Sequence, residues 1–141
     1  VASMPTDSKR ASVLLDTSAV IAHMAGRPEV SQRMRAAERC FLSLTALGEL
    51  RHGVYKSQRL GSTMEAAKIE RFLHIAEILY PGCQTAEMYG TIIDALEAQG
   101  QRIPTNDIWI AATAKQYDLP LLTTDSHFKR IAGLRLILFG A

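Results

Sequence analysis

Short apolar runs alternate along the chain with longer segments whose apolar residues recur at helical spacing. The first run, Ser12-Val13-Leu14-Leu15, is apolar, ends at Asp16 and predicts a buried strand. Residues 18–25 read as helical, with Ser18 as the expected N-cap. Pro28 suits the first turn of a second helix over 27–38. Cys40-Phe41-Leu42-Ser43-Leu44 predicts a second strand, and Thr45 the cap of a helix over 46–58. Gly61-Ser62-Thr63 interrupts the chain before a helix over 64–76. A third strand, Glu77-Ile78-Leu79-Tyr80, is stopped by Pro81-Gly82. Thr85 is expected to open a helix that runs to Gln99 and stops at Gly100. Thr105 or Asn106 would cap the next helix, to Tyr117. Leu121-Leu122-Thr123 predicts a fourth strand, 128–131 a short helix and 135–139 a fifth strand.

Strands separated by helices imply parallel pairing through right-handed crossovers. Uninterrupted apolar runs fit strands covered on both faces. The predicted fold is therefore α/β: a three-layer α/β/α sandwich around a mostly parallel sheet of roughly five strands. A length of 141 residues suits one domain, placed at 11–141. Residues 1–10 are set apart as a flexible segment or a remnant of cloning.

In such sheets ligands bind beyond the carboxyl ends of the strands, and acidic residues sit there. Asp16 directly follows the first strand, and Asp125 lies two residues past the fourth. Asp107 falls in the first turn of a helix, where a carboxylate gains from the helix dipole. On that helix Asp107, Ala111 and Ala114 share a narrow face, so small side chains permit close approach to the sheet. On the helix after strand two, Leu47, Leu50 and Val54 form the core face. Glu49 lies nearly opposite, facing water or a cleft. Asp16, Asp107 and Asp125 can thus converge, with Glu49 as a fourth. Carboxylates that close repel one another and raise each other's pKa, and a hard divalent cation such as Mg²⁺ or Mn²⁺ removes the conflict.

Composition narrows the classes further. The chain is 48% hydrophobic and 21% charged, which excludes a disordered or collagen-like protein. Two cysteines without a CxxC spacing favour a reduced, cytoplasmic protein over a disulfide scaffold, and no apolar run is long enough to span a membrane. The net charge of +2 argues at first against a nucleic-acid partner. It is unevenly spread, however, with Arg27, Arg33, Arg35, Arg39, Arg51, Lys56 and Arg59 outnumbering Glu29, Glu38 and Glu49 between 27 and 59. That stretch reads as a solvated helical surface or as a track for a phosphate backbone. With four acids gathered into one pocket, 16 basic residues face only ten other acidic ones.

Several chemistries are absent from the spacing. No G-x-G-x-x-G or G-x-x-x-x-G-K-[ST] follows the first strand. Asp16-Thr17-Ser18 lacks the second aspartate of aspartate-nucleophile phosphatases. His23, His52, His74 and His127 show no paired metal-ligand spacing and read as ordinary helix or surface residues. Trp109, near Asp107 on its helix, reads as a core or subunit-contact residue.

Taken together, four segments resemble the ordered motifs of the PIN domain, in particular its VapC-type toxin members. Leu14-Leu15-Asp16-Thr17-Ser18-Ala19-Val20 is similar to the opening motif. Ser43-Leu44-Thr45-Ala46-Leu47-Gly48-Glu49-Leu50 is similar to the second. Ile103-Pro104-Thr105-Asn106-Asp107-Ile108-Trp109 is similar to the third, and Leu121-Leu122-Thr123-Thr124-Asp125-Ser126-His127-Phe128 to the fourth. Each motif alone is weak, but all four in order cover nearly the whole chain. Many relatives carry Asn where Ser18 stands, and a hydroxyl there can still hold a water.

The resemblance implies a Mg²⁺- or Mn²⁺-dependent endoribonuclease, the toxin of a VapBC-type pair. Asp16, Glu49, Asp107 and Asp125 would be catalytic, with Asp16, Asp107 and Asp125 as metal ligands. Ser18 and Thr123 would hold the carboxylates or their waters. A cation-activated water would cleave RNA to leave 5′-phosphate and 3′-hydroxyl ends. Homodimerisation and inhibition by a small antitoxin protein are further implied. The alternative is a PIN-like module that only binds RNA or protein, against which the complete set of acids argues; a DNA nuclease of the same chemistry is a third reading.

Overall fold

The computed structural model describes residues 11–140, so the segment set apart at 1–10 lies outside the described residues. Five strands form one sheet: β1 (Val13–Leu15), β2 (Cys40–Ser43), β3 (Ala76–Leu79), β4 (Leu121–Thr123) and β5 (Leu136–Leu138). Six helices connect them: α1 (Thr17–Met24), α2 (Pro28–Ala36), α3 (Leu44–Arg59), α4 (Met64–Phe72), α5 (Cys83–Ala98) and α6 (Thr105–Gln116). A 3₁₀ turn (Ser126–Arg130) lies between β4 and β5. The sheet order is β3-β2-β1-β4-β5, and every pairing is parallel. This is the predicted α/β class.

The topology decides where the chemistry lies. From β1 the chain grows outward through β2 and β3, then returns to the other side of β1 for β4 and β5. The switch point is therefore the β1–β4 seam, where Leu14 pairs with Leu121 and Leu15 with Leu122. Asp16 and Thr123 stand at the carboxyl ends of these two strands. Both strands are fully buried, as periodicity of the uninterrupted apolar kind requires. They sit in a single core with Phe41, Phe128, Ile110 and Leu42.

Helix starts depart from the sequence reading in an informative way. The first helix is capped by Asp16, whose side chain accepts from the Ala19 backbone N–H, so Ser18 is inside the helix. The third begins at Leu44, with Ser43 as its cap in place of Thr45. In both cases a polar residue at or just past the strand's end caps the helix, because the strand runs into the helix without a loop. Cys83 begins α5, with Thr85 in the first turn, where its hydroxyl accepts from the Gly82 N–H at 2.9 Å. Pro104 precedes α6, and no side chain caps it, which leaves Asn106 in the first turn for another use.

Two left-handed residues place the helix that carries Asp107. Gly100, at φ 65°, ends α5 and lets the Gln101 N–H return to the Leu96 carbonyl at 2.9 Å. Asp118, at φ 54°, ends the turn after α6, where the Leu119 N–H reaches the Ala114 carbonyl. Helices α5 and α6 pack together, and Tyr89 stacks on Trp109 with ring centroids 4.0 Å apart. Trp109 is thus a half-buried packing residue on the described surface.

Candidate acidic site at the carboxyl edge of the sheet

Asp16 is buried at the end of β1, and its carboxylate is held from three directions. The Ala19 N–H donates to Oδ1 at 2.8 Å, and the Thr123 hydroxyl donates to Oδ2 at 2.6 Å. The Ser18 hydroxyl lies 2.7 Å from Oδ1 and 2.9 Å from Oδ2. Burial pushes the Asp16 carboxyl up, and the donors from Thr123, Ser18 and Ala19 pull it back down. Ser18 and Thr123 also tie this strand end to the next acid. The Thr124 N–H donates to the Ser18 hydroxyl at 3.0 Å, and the Asp125 N–H donates to the Thr123 hydroxyl at 2.9 Å. The two hydroxyls predicted from sequence as supports therefore bridge the β1 and β4 ends.

Asp125 caps the 3₁₀ turn, and its Oδ1 accepts the His127 N–H at 2.9 Å. The same oxygen lies 3.1 Å from the His127 ring Nδ1. Asp107 enters from the first turn of α6. Burial, then the charges of Asp125, Glu49 and Asp16, push its carboxyl up to about 6, with His127 pulling the other way. One ligand atom each from Asp107, Asp125 and His127 lies within 4.8 Å of the others.

Glu49 comes from α3, on the flank of the face that buries Ala46, Leu50 and Val54. It faces the cleft: the Thr17 hydroxyl donates to Oε1 at 2.6 Å, and the Asn106 amide reaches Oε2 at 3.5 Å. All four acids singled out in the sequence thus surround one edge of the sheet. Thr17, Asn106 and His127 were not singled out. For His127 the usable signal was its position two residues after Asp125, where an aspartate side chain accepts the backbone N–H in an Asx turn. For Thr17 and Asn106 the signal was adjacency alone, and their shared partner is 32 and 57 residues away in sequence.

The donor set suits a divalent cation of the oxygen-preferring kind. Three carboxylates raise the pKa of the fourth, and that tension is relieved by a cation or by protonation. The basic stretch at 27–59 is partly neutralised where it lies. Arg27, Arg39 and Arg51 are engaged by Glu29, Glu77 and Glu70. That favours the solvated-surface reading for those three residues. Beside Glu49, an apolar groove of about 200 Å³ runs between α1, α3 and α4, lined in part by Ile21, Met24, Leu50 and Val54.

The chain matches known proteins along most of its length. The family model for the PIN domain matches residues 13–134. Ribonuclease VapC1 of Haemophilus influenzae (strain R2866) is 31% identical over 127 residues, spanning 86% of this chain and 93% of that protein. Ribonuclease VapC5 of Mycobacterium tuberculosis (strain ATCC 25618 / H37Rv) is also 31% identical, over 85% of this chain and 87% of that one. The crystal structure of VapBC2 from Rickettsia felis, bound to a DNA fragment from their promoter, superposes with a TM-score of 0.83 at 25% identity, covering 91% of this chain and 98% of that one. With a family model spanning nearly all of the described fold and relatives of matching length, the chain belongs to the PIN domain family and groups with the VapC ribonucleases.

Proposed function

We propose that the protein is a divalent-metal-dependent endoribonuclease, acting as the toxin of a VapBC-type pair. The observation that carries this reading is the gathering of Asp107, Asp125, Glu49 and Asp16 at one edge of the sheet, where burial first and then the other three charges raise the Asp107 carboxyl. Four carboxylates brought to one edge would be costly without a cation to oppose them. The names of the relatives supply the substrate class, RNA.

Asp16, Asp107 and Asp125 would hold Mg²⁺ or Mn²⁺, with Glu49 completing the acidic ring. When bound, the cation supplies positive charge opposite the scissile phosphate and acidifies water. The chain's own groups set the stage. Ser18, Thr123 and the Ala19 N–H keep the Asp16 carboxylate in one orientation. Thr17 and Asn106 aim Glu49 into the cleft, where its free lone pairs can orient a water for in-line attack. Asp107 would hold the cation as a carboxylate, and the cation's charge would offset the burial and neighbouring charges that raise its carboxyl. Hydrolysis breaks the bond from phosphorus to the 3′ oxygen and leaves 5′-phosphate and 3′-hydroxyl ends. A small antitoxin protein would cover the groove beside Glu49, and a homodimer would set two sites near one another.

Asp16→Asn tests the reading. It removes a charge while keeping the side chain's size and its acceptor for Ala19. RNA cleavage and growth inhibition should fall at least a hundredfold, with an unchanged circular dichroism spectrum. Full activity in that variant, or in excess chelator, overturns the proposal. A binding-only module would retain RNA affinity and show no cleavage in the unaltered protein.

A further inference from the structure

His127 was expected to be an ordinary surface histidine, yet it faces the acidic edge. Asp125 meets it twice, once at the backbone and once at the ring. The backbone N–H donates to Asp125 Oδ1 at 2.9 Å, closing an Asx turn, and ring Nδ1 lies 3.1 Å from the same oxygen. Phe128, the next residue, is fully buried and anchors the turn in the core. The His127 side chain remains 45% exposed, so a hydrated ion can reach the ring from solvent.

The separation between imidazole and carboxylate is meaningful. Neighbouring ligand atoms of an octahedral ion with bonds of about 2.1 Å stand roughly 3 Å apart. The contact at 3.1 Å has that span, which is also the span of a hydrogen bond from ring Nδ1–H to the carboxylate when no ion is bound. One ligand atom each from Asp107, Asp125 and His127 lies within 4.8 Å of the other two, so modest closure around an ion joins all three residues.

We propose that His127 is a metal ligand alongside Asp107 and Asp125, making a nitrogen–oxygen donor set that takes Mn²⁺ in preference to Mg²⁺. The inference rests on the metal-site reading above and sharpens it to a class of ion. Imidazole is a borderline donor, which transition ions accept more readily than the harder, strongly hydrated Mg²⁺. A neutral ring carries one lone pair, so the proton must sit on the ring nitrogen facing away from the ion.

The test is titration calorimetry with MnCl₂ and with MgCl₂, paired with pulsed electron paramagnetic resonance of the Mn²⁺-loaded protein. The unaltered chain should show ¹⁴N hyperfine coupling to Mn²⁺. The coupling should vanish in His127→Asn and persist in His52→Asn, which controls for the histidine near Glu49. His127→Asn should weaken Mn²⁺ binding by about tenfold or more and leave Mg²⁺ binding within roughly twofold. A Mn²⁺ complex without nitrogen coupling, or equal losses for both ions, overturns the assignment of His127 while leaving the carboxylate site standing. Failure of the unaltered protein to bind either ion overturns the metal-site reading itself.

Discussion

Asp107 shows how one residue's environment becomes a measurable property of the protein. Its carboxyl is raised from its ordinary 3.8 to about 6 by burial and by three neighbouring carboxylates. A raised carboxyl pKa means that the folded chain holds the proton more tightly than the unfolded chain. The stabilisation is complete below about pH 4 and is lost as pH rises through about 6. In chelator, the melting temperature of the unaltered protein should therefore fall relative to Asp107→Asn across that window. At pH 7 the Asn variant should be the more stable of the two and inactive. Differential scanning calorimetry at several pH values checks this, since the difference between the two proteins removes the parallel contribution of Asp16. Adding Mn²⁺ at pH 7 should raise the melting temperature of the unaltered chain only.

Elements place these side chains, and their termini matter more than their interiors. Asp16 directly follows β1 and caps α1, so one carboxylate serves local structure and the acidic edge together. Ser43 repeats the arrangement between β2 and α3, where its hydroxyl accepts the Ala46 N–H at 3.1 Å. It carries no charge and touches none of the four acids directly. Ser43→Ala should cost about 1 kcal/mol in a urea titration through loss of the cap. RNA cleavage should fall only as far as the start of α3 loosens the position of Glu49. Sequence periodicity located every one of these elements, and acids at strand ends marked the useful edge. It misplaced the caps at Ser18 and Thr45 because a cap depends on the backbone angle at one residue. That angle is set by how tightly strand and helix join.

At the scale of the whole molecule, the order β3-β2-β1-β4-β5 brings residues 16, 49, 107 and 125 together. Phe128 ties that arrangement to the core: it is fully buried and immediately follows His127. Phe128→Ala should destabilise the protein by roughly 3–5 kcal/mol in a denaturant titration, through the cavity it leaves. Divalent-cation affinity should fall as well, because the Asp125–His127 turn loses its anchor. An unchanged affinity in the folded variant would show that the turn is held by its hydrogen bonds alone. The surface also bears on assembly. Tyr55, Leu60, Met64 and Tyr80 are large apolar side chains that remain well exposed. Such residues agree with the proposed assembly into dimers and antitoxin complexes.

By itself the sequence determined the class of fold and the positions of the strands and helices, and through strand ends and the resemblance of four motifs it pointed to four acids. Those features are local: hydrophobic period, strand length, and a charged residue where an apolar run stops. It also showed a near-neutral total charge, whose meaning depends on arrangement. Only the tertiary structure decided which groups meet. Thr17 and Asn106 find Glu49 across 32 and 57 residues, and Thr123 finds Asp16 across 107. Likewise Arg27, Arg39 and Arg51 proved to be matched by nearby carboxylates. Hydrogen bonds and charge coupling depend on distances of a few ångströms, and long-range distances are set by the packing of the whole chain. His127 marks the boundary between the two. Its spacing from Asp125 was visible in the sequence, but its approach to Asp107 required the fold.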